Sequence, residues 1–215
     1  GGGRDEASGR QAWSEIASFR TAPAPGAAPD TSLALLGDTR DDTLRYAQWG
    51  QLLATADATA RPDLILFSGD AVTDGSLQGE WDDFLRVAEP VLRRVPMVLA
   101  HGNHEAMKVN YFSLFALPGD EENYSLDWGP AHVTVLNDSP LDAGEVTAAA
   151  APFLDADLAA HAGARWKLVL HHQPPWSAGT THGSNLFLRE VLGPIVERGQ
   201  VDLVLNGHEH DYQRT

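Results

Sequence analysis

Short apolar runs recur along the chain from Ser32: Ser32–Leu36, Leu64–Phe67, Met97–Ala100, Val133–Leu136, Leu168–Leu170 and Val201–Leu205. Runs this brief and continuous suit strands covered on both faces. Between several of them lie helix-like stretches: Thr43–Ala56, Glu80–Arg93, Val146–His161 and Asn185–Glu197. In the last, Leu186, Leu188, Val191, Leu192 and Ile195 make an apolar stripe, with Ser184 as the expected N-cap. Pro90 is expected to kink or divide the second helix. Residues 111–128 read as loop and hairpin. Helices between buried strands imply crossovers, so the pattern predicts an α/β sandwich.

The first thirty residues differ. Residues 1–10 are polar and glycine-rich, 13–20 suit one short strand, and 24–31 form an Ala/Pro/Gly linker to a domain spanning 32–215. No apolar run is long enough for a membrane helix, so no membrane partner is expected. The chain has 215 residues, no cysteine, and 15 basic against 30 acidic side chains, a formal charge of −15. Zero cysteines exclude a disulfide scaffold, a thiolate zinc site and a cysteine nucleophile. The acidic balance, without any basic track, argues against a nucleic-acid partner.

The residues just after each apolar run carry the chemistry. After Leu36 comes Gly37-Asp38, and after Phe67 comes Ser68-Gly69-Asp70. Ala100 is followed by His101-Gly102-Asn103-His104-Glu105, Leu170 by His171-His172, and Leu205 by Asn206-Gly207-His208-Glu209-His210. The carboxyl ends of strands form the ligand crevice of α/β sheets, so these side chains can converge. Two aspartates, one asparagine and three or four histidines suit zinc, manganese, iron, cobalt or nickel better than magnesium or calcium. That set is too large for one open ion and about right for two sharing a carboxylate. Two such ions hold a bridging hydroxide and grip a phosphoryl group. Set against Asp38, Asp70 and hydroxide, two divalent ions leave one net positive charge, a place for phosphate. A lone Gly-Asp is ordinary turn sequence; the five blocks in order are not. His132 and His161 read as ordinary histidines, and His101 and His182 as near-site candidates.

GDTR (37–40), GD (69–70), GNHE (102–105), VLHH (169–172) and GHEH (207–210) together resemble the calcineurin-like metallophosphoesterases, in their purple-acid-phosphatase-like branch. YSLDWG (124–129), HHQPPW (171–176) and DYQR (211–214) add to the likeness. SFRTAP (18–23) resembles the closing strand of a preceding fibronectin-III-like domain, making 1–23 a remnant of one. The resemblance implies a four-layer αββα sandwich with mixed sheets, apparently truncated after GHEH, with flanking segments missing. It implies a secreted or periplasmic location and two divalent or trivalent ions of iron, zinc or manganese.

By position, the resemblance implies that Asp70 bridges the ions, Asp38 and His210 serve the first, and Asn103, His172 and His208 the second. His104 would contact phosphate and protonate the leaving oxygen, with Asp70 counted beside it in the catalytic set. Arg40, Asn103, His104 and His182 would face a small phosphorylated substrate. The implied activity is a phosphomonoesterase, with a phosphodiesterase or a non-catalytic scaffold as alternatives. Two positions depart. Arg40 stands where many members carry a histidine, and Thr73 where the purple enzymes carry a tyrosine. Tyr46 is the expected replacement ligand, with water or Asp74 as alternatives; Arg40 is expected to contact phosphate or to pair with Asp41 or Asp42.

Overall fold

The computed structural model describes residues 2–4, 11–13, 16–27, 30–40 and 46–214. Strands β1 (Gly2–Arg4) and β2 (Gln11–Trp13) pair antiparallel as a small sheet of their own. Of the strand expected over 13–20, Trp13 alone among the described residues lies in a strand; residues 16–20 run without ladder partners, and 14–15 lie outside the described residues. The following segment docks on the main body, where Gly26 N–H donates to the Gly129 carbonyl at 2.8 Å.

Among the described residues, seven further strands and five α-helices make the body. In chain order they are β3 (Leu33–Leu36), α1 (Ala47–Ala60), β4 (Leu64–Phe67), α2 (Gln78–Leu92), β5 (Met97–Leu99) and α3 (Val109–Leu114). Then come β6 (Tyr124–Trp128), β7 (Ala131–Val135), a π-helical turn (Val146–Ala150) running into α4 (Ala151–Ala160), β8 (Trp166–Leu170), α5 (Leu186–Arg198) and β9 (Leu203–Leu205). One sheet has the order β3-β4-β5, all parallel; the other has the order β6-β7-β8-β9 and is mixed, with β6 antiparallel to β7.

Three apolar clusters show how these layers stack. Ile65 and Phe67 of β4 pack with Trp49, Leu53, Trp81, Phe84 and Ala88 of α1 and α2. Side chains alternate across a strand, so Leu64 and Leu66 face the other way, onto Tyr124, Val133, Val135, Leu168 and Leu170 of the second sheet. Beyond that sheet, Val169 packs on Leu154, Leu158, Leu188 and Leu192 of α4 and α5. Helix, sheet, sheet, helix is the four-layer order. Both sheets are covered on both faces, which is why their strands read as unbroken apolar runs.

Local details differ from the sequence pattern. Helix α2 runs through Pro90 unbroken to Leu92, because the proline falls in the last turn and forfeits a single ladder bond. Asn185, not Ser184, caps α5, its side chain accepting from Leu188 N–H at 3.1 Å. Residues 109–114 add a short helix before the β6–β7 hairpin. The expected helix start at Thr43, and the partners Asp41 and Asp42, lie outside the described residues.

Candidate metal centre

Register brings the chemistry to one rim. Leu36 pairs with Phe67 and Phe67 with Leu99, so three parallel strands end level; Leu170 and Leu205 end level in the second sheet. The residues that follow turn sharply. Asp38, Asp70 and His208 all adopt left-handed backbone, with φ of 52°, 56° and 69°. Such strain on non-glycine residues concentrates at functional sites. Gly102 and Gly207 lie so close to Asp70 and Asp38 that a Cβ on either would strike the carboxylate.

One half of the centre is assembled. Ligand atoms of Asp70, His172 and His208 all lie within 4.8 Å of one another. His172 Nε2 stands 3.0 Å from Asn103 Oδ1, 3.2 Å from His208 Nδ1 and 3.4 Å from Asp70 Oδ1. Its Nδ1 is 2.7 Å from the Ser68 carbonyl, which only accepts, so Nδ1 carries the proton. Nε2 is thereby the atom turned to the other three, and its lone pair would serve an ion once the proton held there leaves. A backbone carbonyl fixing a histidine's tautomer in this way is the usual support of a metal ligand.

The electrostatics fit a cation. Burial works against charge on His172, but Asp70, Asp138 and Asp38 raise its pKa to about 9. Burial alone would raise Asp70; the hydrogen bond and charge of His172 and the His104 N–H lower it to about 2. His208 is lowered to about 4 by desolvation and by His172 and His182, which keeps it neutral with a lone pair to give. Asp70, Asn103, His172 and His208 thus fit one transition-metal ion, an N/O set on strand ends.

The other half is arranged differently. Asp38 accepts the His208 N–H on both oxygens, at 2.9 and 3.0 Å, and burial holds its pKa above the ordinary range. His210 Nε2 stands 3.6 Å from Asp38 Oδ1. Between this pair and Asp70 lies Arg40, its Nη1 3.3 Å from Asp70 Oδ2 and its Nη2 3.1 Å from His210 Nε2. Arg40 therefore pairs with Asp70 in the centre itself.

Tyr46 is turned elsewhere, contrary to its expected role. Its ring is buried against Phe84 and its hydroxyl donates to Glu80 at 3.0 Å. Burial and the neighbouring carboxylate push the phenol far above its ordinary pKa, the opposite of what a phenolate ligand needs. Asp74, the alternative, is exposed and accepts the Ser76 N–H and hydroxyl on Oδ1, at 2.9 and 2.7 Å.

His104 sits at the rim with Nδ1 2.6 Å from the Thr73 carbonyl and Nε2 3.9 Å from Asp70 Oδ2. The His182 ring lies 4.1 Å from that of His208 and 6.1 Å from that of His210. His101 is buried beneath the centre against Tyr111, and desolvation lowers its pKa to about 4. A second cluster joins Asp127, His132 and His161 away from the strand ends. There both nitrogens of His132 are held by Asp127 and Asp157, which leaves it no lone pair for an ion, and its ring stacks on that of His161 at 3.7 Å and 15°.

Three acids that the sequence pattern passed over hold the rim together. Glu105, fully buried, accepts from Asp70, Ala71 and Gly102 N–H at 2.7–2.9 Å. Glu209 accepts from Thr181, His182 and Gly183 N–H at 2.8–2.9 Å. Asp138 receives His171 Nδ1 at 2.8 Å and Gln173 N–H at 2.6 Å. The signal for two of them was an acidic residue inside each histidine-rich block.

The profile of the calcineurin-like phosphoesterases matches residues 31–212. The chain belongs to that family. Relatives include purple acid phosphatase 22 of Arabidopsis thaliana, 27% identical across 92% of this chain and 47% of that protein. Acid phosphatase type 7 of Homo sapiens is 29% identical across 95% of the chain and 51% of that protein. Probable inactive purple acid phosphatase 24 of A. thaliana is 24% identical across 99% and 40%. The chain spans about half the length of these relatives. A solved purple acid phosphatase from yellow lupin (Lupinus luteus) seeds shares the fold, with a TM-score of 0.75 at 20% identity over 96% of this chain and 42% of its own. The chain is therefore a calcineurin-like phosphoesterase of the purple-acid-phosphatase-like branch, and no helix among its described residues is long and apolar enough to cross a membrane.

Proposed function

We propose that this chain carries the centre of a metal-dependent phosphoester hydrolase acting on small phosphate monoesters. The observation that carries the reading is the convergence of Asp70, Asn103, His172 and His208, with the His172 tautomer fixed by Ser68. The names of the relatives, acid phosphatases, favour a monoester over a diester. The same likeness supports a secreted or periplasmic location.

When bound, a transition-metal ion would supply Lewis-acid neutralisation of phosphoryl charge and a hydrolytic nucleophile near neutral pH. The residues do the rest. Asp70, Asn103, His172 and His208 would hold it. Arg40 and His182 border the space beside it and present positive or donor groups to phosphoryl oxygens. His104, with Nδ1–H committed to Thr73, offers Nε2 to the departing oxygen as a general acid.

The test pairs an aryl phosphate monoester with the matching diester, with and without chelator. Monoester turnover that stops on chelation and returns with added metal is expected. Faster diester cleavage overturns the substrate assignment. No metal-restored turnover on either ester, in a chain that binds metal, favours the scaffold alternative.

A further inference from the structure

We propose that the centre holds a single transition-metal ion and that the guanidinium of Arg40 takes the place of a second cation. This rests on the reading of Asp70, Asn103, His172 and His208 as a metal site. Asp70 divides its two oxygens. Oδ1 faces His172 Nε2 at 3.4 Å, and Oδ2 faces Arg40 Nη1 at 3.3 Å. The bridging carboxylate therefore spans a metal place on one side and a fixed organic cation on the other.

Arg40 also uses up the donor that a second ion needs. A guanidinium only donates, so its Nη2–H at 3.1 Å consumes the lone pair of His210 Nε2. Asp38, the described acid on that side, shares one N–H, that of His208, between its two oxygens and stands 3.6 Å from His210 Nε2. Among the described residues, the ligand group at the strand ends is Asp70, His172 and His208, without Asp38 or His210. A divalent ion inserted there would meet the like charge of Arg40, which cannot be shed because arginine stays protonated.

Among the described residues, the expected replacements have other partners: Tyr46 is bonded to Glu80, Asp74 holds Ser76 on Oδ1, and Arg40 itself has no lone pair. The charge still suits phosphate. One divalent ion and one guanidinium against Asp38 and Asp70 leave the site net positive within an acidic chain. Arg40 thus supplies as a side chain what a second ion supplies as a ligand-bound charge.

Metal-stripped chain is loaded with excess Mn(II), freed of unbound ion, and assayed by elemental analysis and electron paramagnetic resonance. Close to one manganese per chain, with the signal of an isolated ion, is expected. Arg40→His, which exchanges the cation for an imidazole donor, should take close to two and show an exchange-coupled pair. Two coupled ions in the unaltered chain overturn this inference and leave the metal-centre reading standing. No retained ion overturns both. An Arg40→His chain that folds yet keeps one ion shows that the guanidinium is not what excludes the second, and also overturns it. The unaltered chain decides the matter even if the variant fails to fold.

Discussion

His104 donates its Nδ1–H to the carbonyl oxygen of Thr73 at 2.6 Å, and its Nε2 stands 3.9 Å from Asp70 Oδ2. One backbone contact settles both the tautomer and the aim of the ring. In the proposed hydrolase, Nε2 is the atom that returns a proton to the leaving oxygen. His104→Ala should keep its metal and lose turnover by roughly 10²–10⁴-fold, the usual span of general acid catalysis. The loss should be smaller for an aryl phosphate with an acidic phenol than for an alkyl phosphate, since a good leaving group needs less protonation. Metal content and rate measured across both esters check this. An equal loss on both, or loss of the metal, would remove His104 from that role.

Glu105 is the keystone of the rim, because one carboxylate ties the Asp70 turn to the Gly102 turn through three N–H groups. A glutamine would turn a donor toward one of those N–H groups and leave it unpaired and buried. Glu105→Gln should cost about 2 kcal/mol, lowering Tm by roughly 4–8 °C. With Asp70 less firmly held, metal affinity should fall about 10–100-fold. Glu190→Gln, on exposed surface of α5, should leave Tm and affinity nearly unchanged. Thermal unfolding in chelator and a metal titration read the two effects separately.

How much of the site could be read in the sequence depends on range. Asp38, Asp70, Asn103, His172 and His208 sit directly after apolar runs, so strand order alone predicted a shared rim. The support that Glu105 and Glu209 give depends on which N–H groups a neighbouring loop brings within reach, and no local pattern carries that. Ser184 and Asn185 are both good caps; the turn selects the second. Arg40 was legible as a departure, but not its seat between Asp70 and His210, which depends on two loops 170 residues apart in sequence.

Tyr46 illustrates the same limit and carries a prediction. Its spacing after Asp38 made it a candidate ligand, yet α1 starts at Ala47 and packs the ring into the core. Tyr46→Phe should leave metal content unchanged and cost about 1 kcal/mol for the lost bond to Glu80. Iron-loaded chain should show no phenolate charge-transfer band before or after the change. A visible band that disappears in Tyr46→Phe would restore the tyrosine as a ligand.

The network around His132 should make stability depend on pH. Its Nδ1 meets Asp127 at 2.8 Å and its Nε2 meets Asp157 at 2.9 Å, joining the β6–β7 hairpin to α4. Burial opposes charge on this ring, but the bonds to Asp157 and then Asp127 win and raise its pKa. Asp157 is lowered in turn, against burial, by His132, Thr134 and Ser125. A raised histidine stabilises fully below its unfolded pKa, about 6.5, and loses that contribution as pH climbs through the folded value. A lowered aspartate stabilises above its unfolded pKa, about 3.9, and loses that contribution as pH falls through the folded value. The pair therefore contributes most between about pH 4 and pH 6.5. The Tm gap between the unaltered chain and His132→Gln, measured in chelator, should be widest near pH 5–6 and narrow as pH rises above 7. A gap that stays flat or widens with rising pH would mean that His132 is held neutral, and that its two aspartates bind it as a dipole and not as a cation.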